Sequence, residues 1–216
     1  MADRAVGVPF AKEGFPFIGA AAGSTLIAAW LGWTAIAAIA AILTFFVSWF
    51  FRNPPRVVPQ GRGLVVSPGD GKVLAVEEEF EPRYLKERSI RISIFLNVFD
   101  VHINRIPCDG TIEDVQYQPG LFLVASKPHA TLKNEQNAVM IKTVEGAKVL
   151  CVQVAGLIAR RIVWWVNPKD RAVRGERYGL IRFGSRMDTY VPIGTAITIT
   201  VGDRVKGGET ILGELQ

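Results

Sequence analysis

The chain has 216 residues, 49% of them hydrophobic, which is enough for one well-filled core but short for two independent domains. Its formal charge of +5 is spread rather than blocked, and no aromatic RNP sequence or recognition-helix pattern accompanies it, so nucleic acid is excluded as the expected partner and an anionic membrane is favoured. The two cysteines, Cys108 and Cys151, stand in no metal-ligand spacing, which excludes a disulfide framework and a structural zinc site; both read as small buried apolar residues in a reducing compartment.

From Phe15 to Phe51, FPFIGAAAGSTLIAAWLGWTAIAAIAAILTFFVSWFF, no side chain is charged. A single helix of that length would reach roughly 55 Å, against about 30 Å for a hydrocarbon core, so the run must break. Leu31-Gly32-Trp33 supplies the break, because glycine weakens a helix and tryptophan favours the interface. Two short helices over 15–31 and 34–51 are expected, as a membrane hairpin or a tilted, partly re-entrant pair. Arg4 and Lys12 precede the run, and Arg52, Arg56 and Arg62 follow it. Positive flanks on both sides place both ends, and the protein, on the cytoplasmic face of the cell membrane. The apolar stretch is too long for a signal peptide and no small-residue cleavage site closes it. The competing reading is a helical hairpin buried inside a soluble core.

After residue 52 the composition changes. RNPPRVVPQGRG reads as an extended linker along the membrane surface, assigned to 53–63 between the hairpin, 1–52, and a folded domain, 64–216. From Leu64 on, short runs dense in Val and Ile, such as GKVLAVEEEF, IRISIFLNVF, AKVLCVQVAG and AITITVG, are punctuated by Gly, Asp and Pro. This spacing predicts a mainly β fold, an antiparallel barrel or sandwich, with a barrel-sandwich-hybrid rhythm in the last 25 or so residues. Only FLVASKPHATLKNEQN looks irregular or partly helical, and no strand–helix alternation suggests a parallel sheet.

Three places hold residues suited to chemistry. SPGDG puts Asp70 in a tight turn between two strands, where Asp-Gly is equally well explained as turn chemistry. FLNVFDVHINRIP ends a long apolar strand with Asp100 and His102, which alternation places on one face, so that the carboxylate could orient the imidazole; a satisfied structural histidine is the competing reading. The second histidine, His129, falls in an expected loop and reads as a solvated side chain. RFGSRMD contains Gly184-Ser185, either a surface turn or a nucleophile that needs a base, since a serine hydroxyl is weak unaided. The Gly-x-Ser-x-Gly elbow of conventional serine hydrolases is missing.

Together, Arg52-Asn53-Pro54, SPGDGKV, FLNVFDVHINRIP, NEQN, QVAGLIARRIV and GERYGLIRFGSRMDTYVP resemble, in order and approximate spacing, the short bacterial and archaeal form of the phosphatidylserine decarboxylase proenzyme, over residues 50–216. The resemblance implies self-cleavage: the Ser185 hydroxyl attacks the carbonyl of Gly184, the amide becomes an ester, and elimination then leaves a dehydroalanine that hydrolyses to a pyruvoyl group with loss of ammonia. The chain would become a heterodimer of fragments 1–184 and 185–216, which could assemble further. The pyruvoyl group, covalent and derived from Ser185, would be the only cofactor, accepting the amine of phosphatidylserine and the electrons released as carbon dioxide leaves; no metal is implied. Phosphatidylethanolamine is the implied product.

By position in the motif, Asp70 is the family's processing aspartate and His102 the first histidine of its Asp-x-His segment. Where longer patterns carry a second histidine this chain has Arg105, which leaves open whether His102, oriented by Asp70 or Asp100, serves processing, decarboxylation or both. Gly69 replaces a more usual alanine, and Arg186 follows the serine. Arg160 and Arg161 are candidates for the lipid phosphate or carboxylate, or else a solvated pair on a strand edge. The alternatives are a membrane-tethered serine peptidase, which predicts an uncut chain, and a non-enzymatic lipoyl-like membrane scaffold, weakened because no exposed lysine sits in a carrier hairpin.

Overall fold

The computed structural model describes residues 9–123, 133–156, 161–182 and 184–216. The chain divides into two compact units, Ala5–Pro55 and Arg56–Gln216.

The first unit is a helical hairpin, α1 (Phe15–Trp30) and α2 (Thr34–Phe50). The break falls where glycine permits it: Gly32 takes φ +73°, and Trp33 N–H donates back to Ala28 O. The helices face each other through the Thr25 and Thr44 hydroxyls, 3.1 Å apart. The two ends of the hairpin are tied by Ala11 N–H to Phe51 O and Asn53 N–H to Pro9 O. Leu26, Ile27, Trp30, Ile36, Ile39 and Ile42 are all more than half exposed, the reverse of a hairpin packed inside a soluble core. With 16 and 17 residues the helices reach only about 25 Å, and among the described residues none is long and apolar enough to cross a membrane.

The second unit is mainly β, as the periodicity predicts. Its strands are β1 (Leu64–Val66), β2 (Gly71–Glu81), β3 (Glu87–Leu96), β4 (Ile103–Arg105), β5 (Gly110–Gln118), β6 (Gln136–Lys142) and β7 (Lys148–Val154), followed by β8 (Ile162–Trp164), β9 (Arg171–Ala172), β10 (Arg177–Ile181), β11 (Ser185–Pro192), β12 (Ala196–Ile197), β13 (Arg204–Val205) and β14 (Ile211–Glu214). Eight form an antiparallel sheet in the order β13-β2-β3-β11-β7-β6-β5-β9; two three-stranded antiparallel sheets, β1-β14-β12 and β4-β10-β8, complete the unit. Register shifts between Val73 and Ala75 and between Ile112 and Asp114 mark bulges, which bend the strands that carry them.

The core lies on one face of the large sheet. Ile92, Ile94, Leu96, Val139, Cys151 and Met187 from that face cluster with Val65 and Leu212 of one small sheet and with Ile162, Tyr178 and Ile181 of the other. Strand alternation sends Tyr190, Leu150, Val152 and Met140 to the opposite face, where Tyr84 and Leu85 pack against them. That flap is fixed by Glu81, whose carboxylate accepts the N–H groups of Arg83, Tyr84 and Leu85 at 3.0, 2.7 and 2.7 Å. Both cysteines are buried and unpaired, as expected. Burial pushes the Cys108 thiol well up and Cys151 up to about 12.

Candidate active site

The long apolar strand ends at Leu96, four residues before Asp100, so the Asp100–His102 pair sits in the turn 97–102 rather than on that strand. Asn97 starts the turn: its side-chain oxygen accepts Phe99 N–H at 2.8 Å, and its own N–H donates to the Asp100 carboxylate at 3.0 Å. The carboxylate is thereby used up locally, its other oxygen taking the Arg204 guanidinium. The expected Asp100–imidazole contact is not made. Instead the main-chain oxygen of Asp100 lies 3.0 Å from His102 Nδ1.

On the other side of the ring, Gly184 N–H donates to His102 Nε2 at 3.2 Å. An amide can only donate, so Nε2 carries a lone pair and the ring proton is on Nδ1, facing the Asp100 carbonyl. His102 is fully buried, neutral, and fixed in this tautomer by two backbone groups. Gly184 has φ +68° with open space where a Cβ would stand, so it is the backbone conformation, not crowding, that calls for glycine. Ser185, the first residue of β11, pairs with Leu96 of β3, is wholly buried, and its Oγ has no hydrogen-bond partner among the described residues.

Asp70 occupies the predicted turn, but β1 and β2 belong to different sheets, so the turn is a crossover and not a hairpin. Its carboxylate accepts Arg56 Nη2 with both oxygens, at 2.9 and 2.8 Å, and Gly207 N–H at 2.8 Å. It does not orient His102. Arg56, expected in the linker, therefore belongs to this cluster, with Glu209 3.8 Å from its other nitrogen. Arg105, standing where longer motifs have histidine, donates to Gly175 O at 2.9 Å. Burial, with Arg56 and Arg177 nearby, pushes its guanidinium down to about 10, against the pull of Asp70 and Glu209.

Arg161 is exposed, and its main-chain oxygen accepts Arg182 N–H at 3.3 Å; Arg160 and His129 lie outside the described residues. Among the described residues no cluster of His, Cys, Asp and Glu is arranged to hold a metal.

Several residues at the site were given no role from the sequence. Arg186 is buried and pairs with the buried Asp188 at 2.9 Å, which also accepts Ser93 Oγ at 2.6 Å. Asn104, Gln153 and Asn137, all fully buried, form a chain of amides behind the Ser185 strand. Gln153 had a signal, a lone polar residue inside the apolar run KVLCVQV, and Asn137 closes the quoted NEQN. Arg56 had none, because nothing in a Pro-rich stretch announces a partner.

The model of the phosphatidylserine decarboxylase family matches residues 43–213. Among similar proteins, a phosphatidylserine decarboxylase proenzyme of Syntrophus aciditrophicus is 47% identical over 206 residues, covering 94% of this chain and 96% of that protein. A protein of the same name from Geotalea uraniireducens is 47% identical, covering 96% and 97%, and one from Nitrosomonas europaea 48%, covering 94% and 94%.

Proposed function

The chain belongs to the phosphatidylserine decarboxylase family, and from that premise we propose that it converts phosphatidylserine to phosphatidylethanolamine after cutting its own backbone between Gly184 and Ser185. The observation that carries this reading is the Gly184 N–H held on His102 Nε2, next to a buried Ser185 hydroxyl with no partner among the described residues. In the cut, Ser185 Oγ gives up its proton and bonds to the Gly184 carbonyl carbon, the Gly184–Ser185 C–N bond breaks, and the nitrogen takes up a proton; loss of the Ser185 Cα proton then breaks its Cβ–Oγ bond, releasing Gly184 as a carboxylate and leaving a dehydroalanine that takes up water and loses ammonia to become the pyruvoyl group. His102 serves as the base: its acceptor nitrogen Nε2 faces the scissile segment in a tautomer set beforehand, and that nitrogen takes the hydroxyl proton when Gly184 N–H releases it. Gly184 permits the left-handed turn from which the attack starts.

Ser185 suits the precursor of a pyruvoyl group: it opens a strand flanked on both sides, so residue 185 stays in place once its upstream bond is gone. Such a group supplies the electron sink for decarboxylation. Asp70 and Asp100 support the site through Arg56, Gly207 and Arg204, and Asp100 adds the carbonyl that holds His102. Arg161, with Arg160, is assigned to the lipid phosphate or carboxylate. The mature molecule is the heterodimer of 1–184 and 185–216.

The substrate is reached at the cytoplasmic face of an anionic membrane. The helical hairpin supports this with its exposed apolar residues and its flanking Lys12 and Arg52. The strand ends at the Ser185 edge of the large sheet add exposed Lys72, Lys133, Arg204 and Lys206, with exposed Phe99 and Leu121. Vesicle sedimentation tests it: binding is expected to phosphatidylserine-containing vesicles and to fall with salt, and equal binding to neutral vesicles would remove the electrostatic part.

Intact-mass measurement and a denaturing gel test the chemistry. Wild type is expected as two fragments, the smaller with a blocked N-terminus that reacts with hydroxylamine, and Ser185→Ala as one chain. An active wild type that stays uncut and reacts with fluorophosphonates would replace the reading with a serine peptidase.

A further inference from the structure

Three buried amides lie in line behind the site. Asn137 Nδ2 donates to Gln153 Oε1 at 2.8 Å, and Gln153 Nε2 donates to Asn104 Oδ1 at 2.8 Å. The chain crosses from β6 through β7 to β4, so it joins the large sheet to the small one packed over it. All three side chains are fully buried. Each link donates in the same sense, so the amide dipoles add, and the positive end is Asn104 Nδ2. That atom has no hydrogen-bond partner among the described residues.

Its position follows from Gly69. A Cβ at Gly69 would stand 3.3 Å from Leu96 Cδ2, 3.5 Å from Met187 Cγ and 3.6 Å from Asn104 Nδ2. Leu96 is the ladder partner of Ser185, and Met187 is two residues along β11 on the same face. Asn104 Nδ2 therefore ends over the face of the sheet on which the Ser185 side chain stands. Two buried polar atoms without partners, an amide N–H donor and a hydroxyl, share one neighbourhood. Buried polar groups are nearly always satisfied, and exceptions concentrate where something else supplies the partner.

Resting on the self-cleavage reading above, we propose that Asn104 donates its Nδ2–H to the anionic oxygen that develops on the Gly184 carbonyl as Ser185 Oγ adds to it, and that Gln153 and Asn137 are positioning residues that aim and polarise it. The donor is in place before any charge forms, the condition under which such a bond favours the transition state over the ground state. It transfers no proton. His102 takes the hydroxyl proton and Asn104 stabilises the oxygen left negative at the carbon under attack.

The test follows cleavage of freshly translated full-length chain on a denaturing gel. Asn104→Leu is expected to slow cleavage about 100-fold, the usual loss for one oxyanion donor. Asn104→Asp, of the same size but with no donor when ionised, is expected to slow it too. Gln153→Met should slow it less, and Asn104→Leu/Gln153→Met should be no slower than Asn104→Leu alone, because Gln153 acts through Asn104. Thermal melts of each change on a Ser185→Ala background separate folding from chemistry. Cleavage of either folded Asn104 variant at the wild-type rate overturns the proposal, as does additivity in the double variant. A wild-type chain that never cuts overturns the self-cleavage reading instead, so the two failures are distinguishable.

Discussion

A histidine held between a carbonyl oxygen and an amide N–H keeps one tautomer without any carboxylate, and this is how His102 differs from the arrangement in which an aspartate orients the ring. His102→Phe fills much the same space but removes the acceptor of Gly184 N–H, and cleavage is expected to slow at least about 100-fold in a gel time course. Asp70 is committed differently. Its salt bridge with Arg56 has side chains only 6% and 15% exposed, so removing one partner strands a charge in a poorly solvated place. Arg56→Met is expected to destabilise the chain by about 3–5 kcal/mol, read from urea midpoints on a Ser185→Ala background. Asp70→Asn/Arg56→Met should recover much of that loss, since neither member of the bidentate pair is then left charged without the other.

β11 is the element on which the proposed two-fragment molecule depends. It runs between β3 and β7, pairs along its whole length with β3 from Ser185–Leu96 to Pro192–Ser89, and buries seven of its eight residues. Downstream of it, β13 pairs with β2, and β14 with β1. Every described strand of residues 185–216 except β12 is thus bonded directly to a strand of the preceding residues, and β12 is bonded to β14, so the proposed cut would leave the two fragments held by their sheets. The two fragments are expected to co-elute in size-exclusion chromatography and to separate only in denaturant; elution of free 185–216 from native protein would contradict this. Arg186 anchors the start of the strand through Asp188, Ser93 and Arg91, on the face opposite the Ser185 side chain.

Across the whole molecule, burial raises several thiols and phenols together: Cys108, Cys151, Tyr178 and Tyr190 all hold their protons more tightly than when exposed. For Cys151 the rise is from the ordinary 9.0 to about 12, so the folded state binds more protons than the unfolded chain between those values. The stability this represents is fully present below about pH 9 and is lost as pH rises toward 12. Urea midpoints are therefore expected to fall steeply above pH 9, and Cys151→Ala should lessen the steepness even though it lowers stability at neutral pH.

Local patterning alone determined the mainly β class, the helix break at Gly32 and the turn at Asp70, because period, glycine conformation and turn chemistry act over a few neighbouring residues; at Gly184-Ser185 it favoured a surface turn, whereas Ser185 is buried at the start of a strand. What only the tertiary structure decided is which groups meet. Arg56 reaches Asp70 across 14 residues, Arg204 reaches Asp100 across 104, and Gln153 reaches Asn104 across 49. Buried polar atoms must find partners wherever the sheets bring them together, and that placement depends on strand order, which no local pattern encodes.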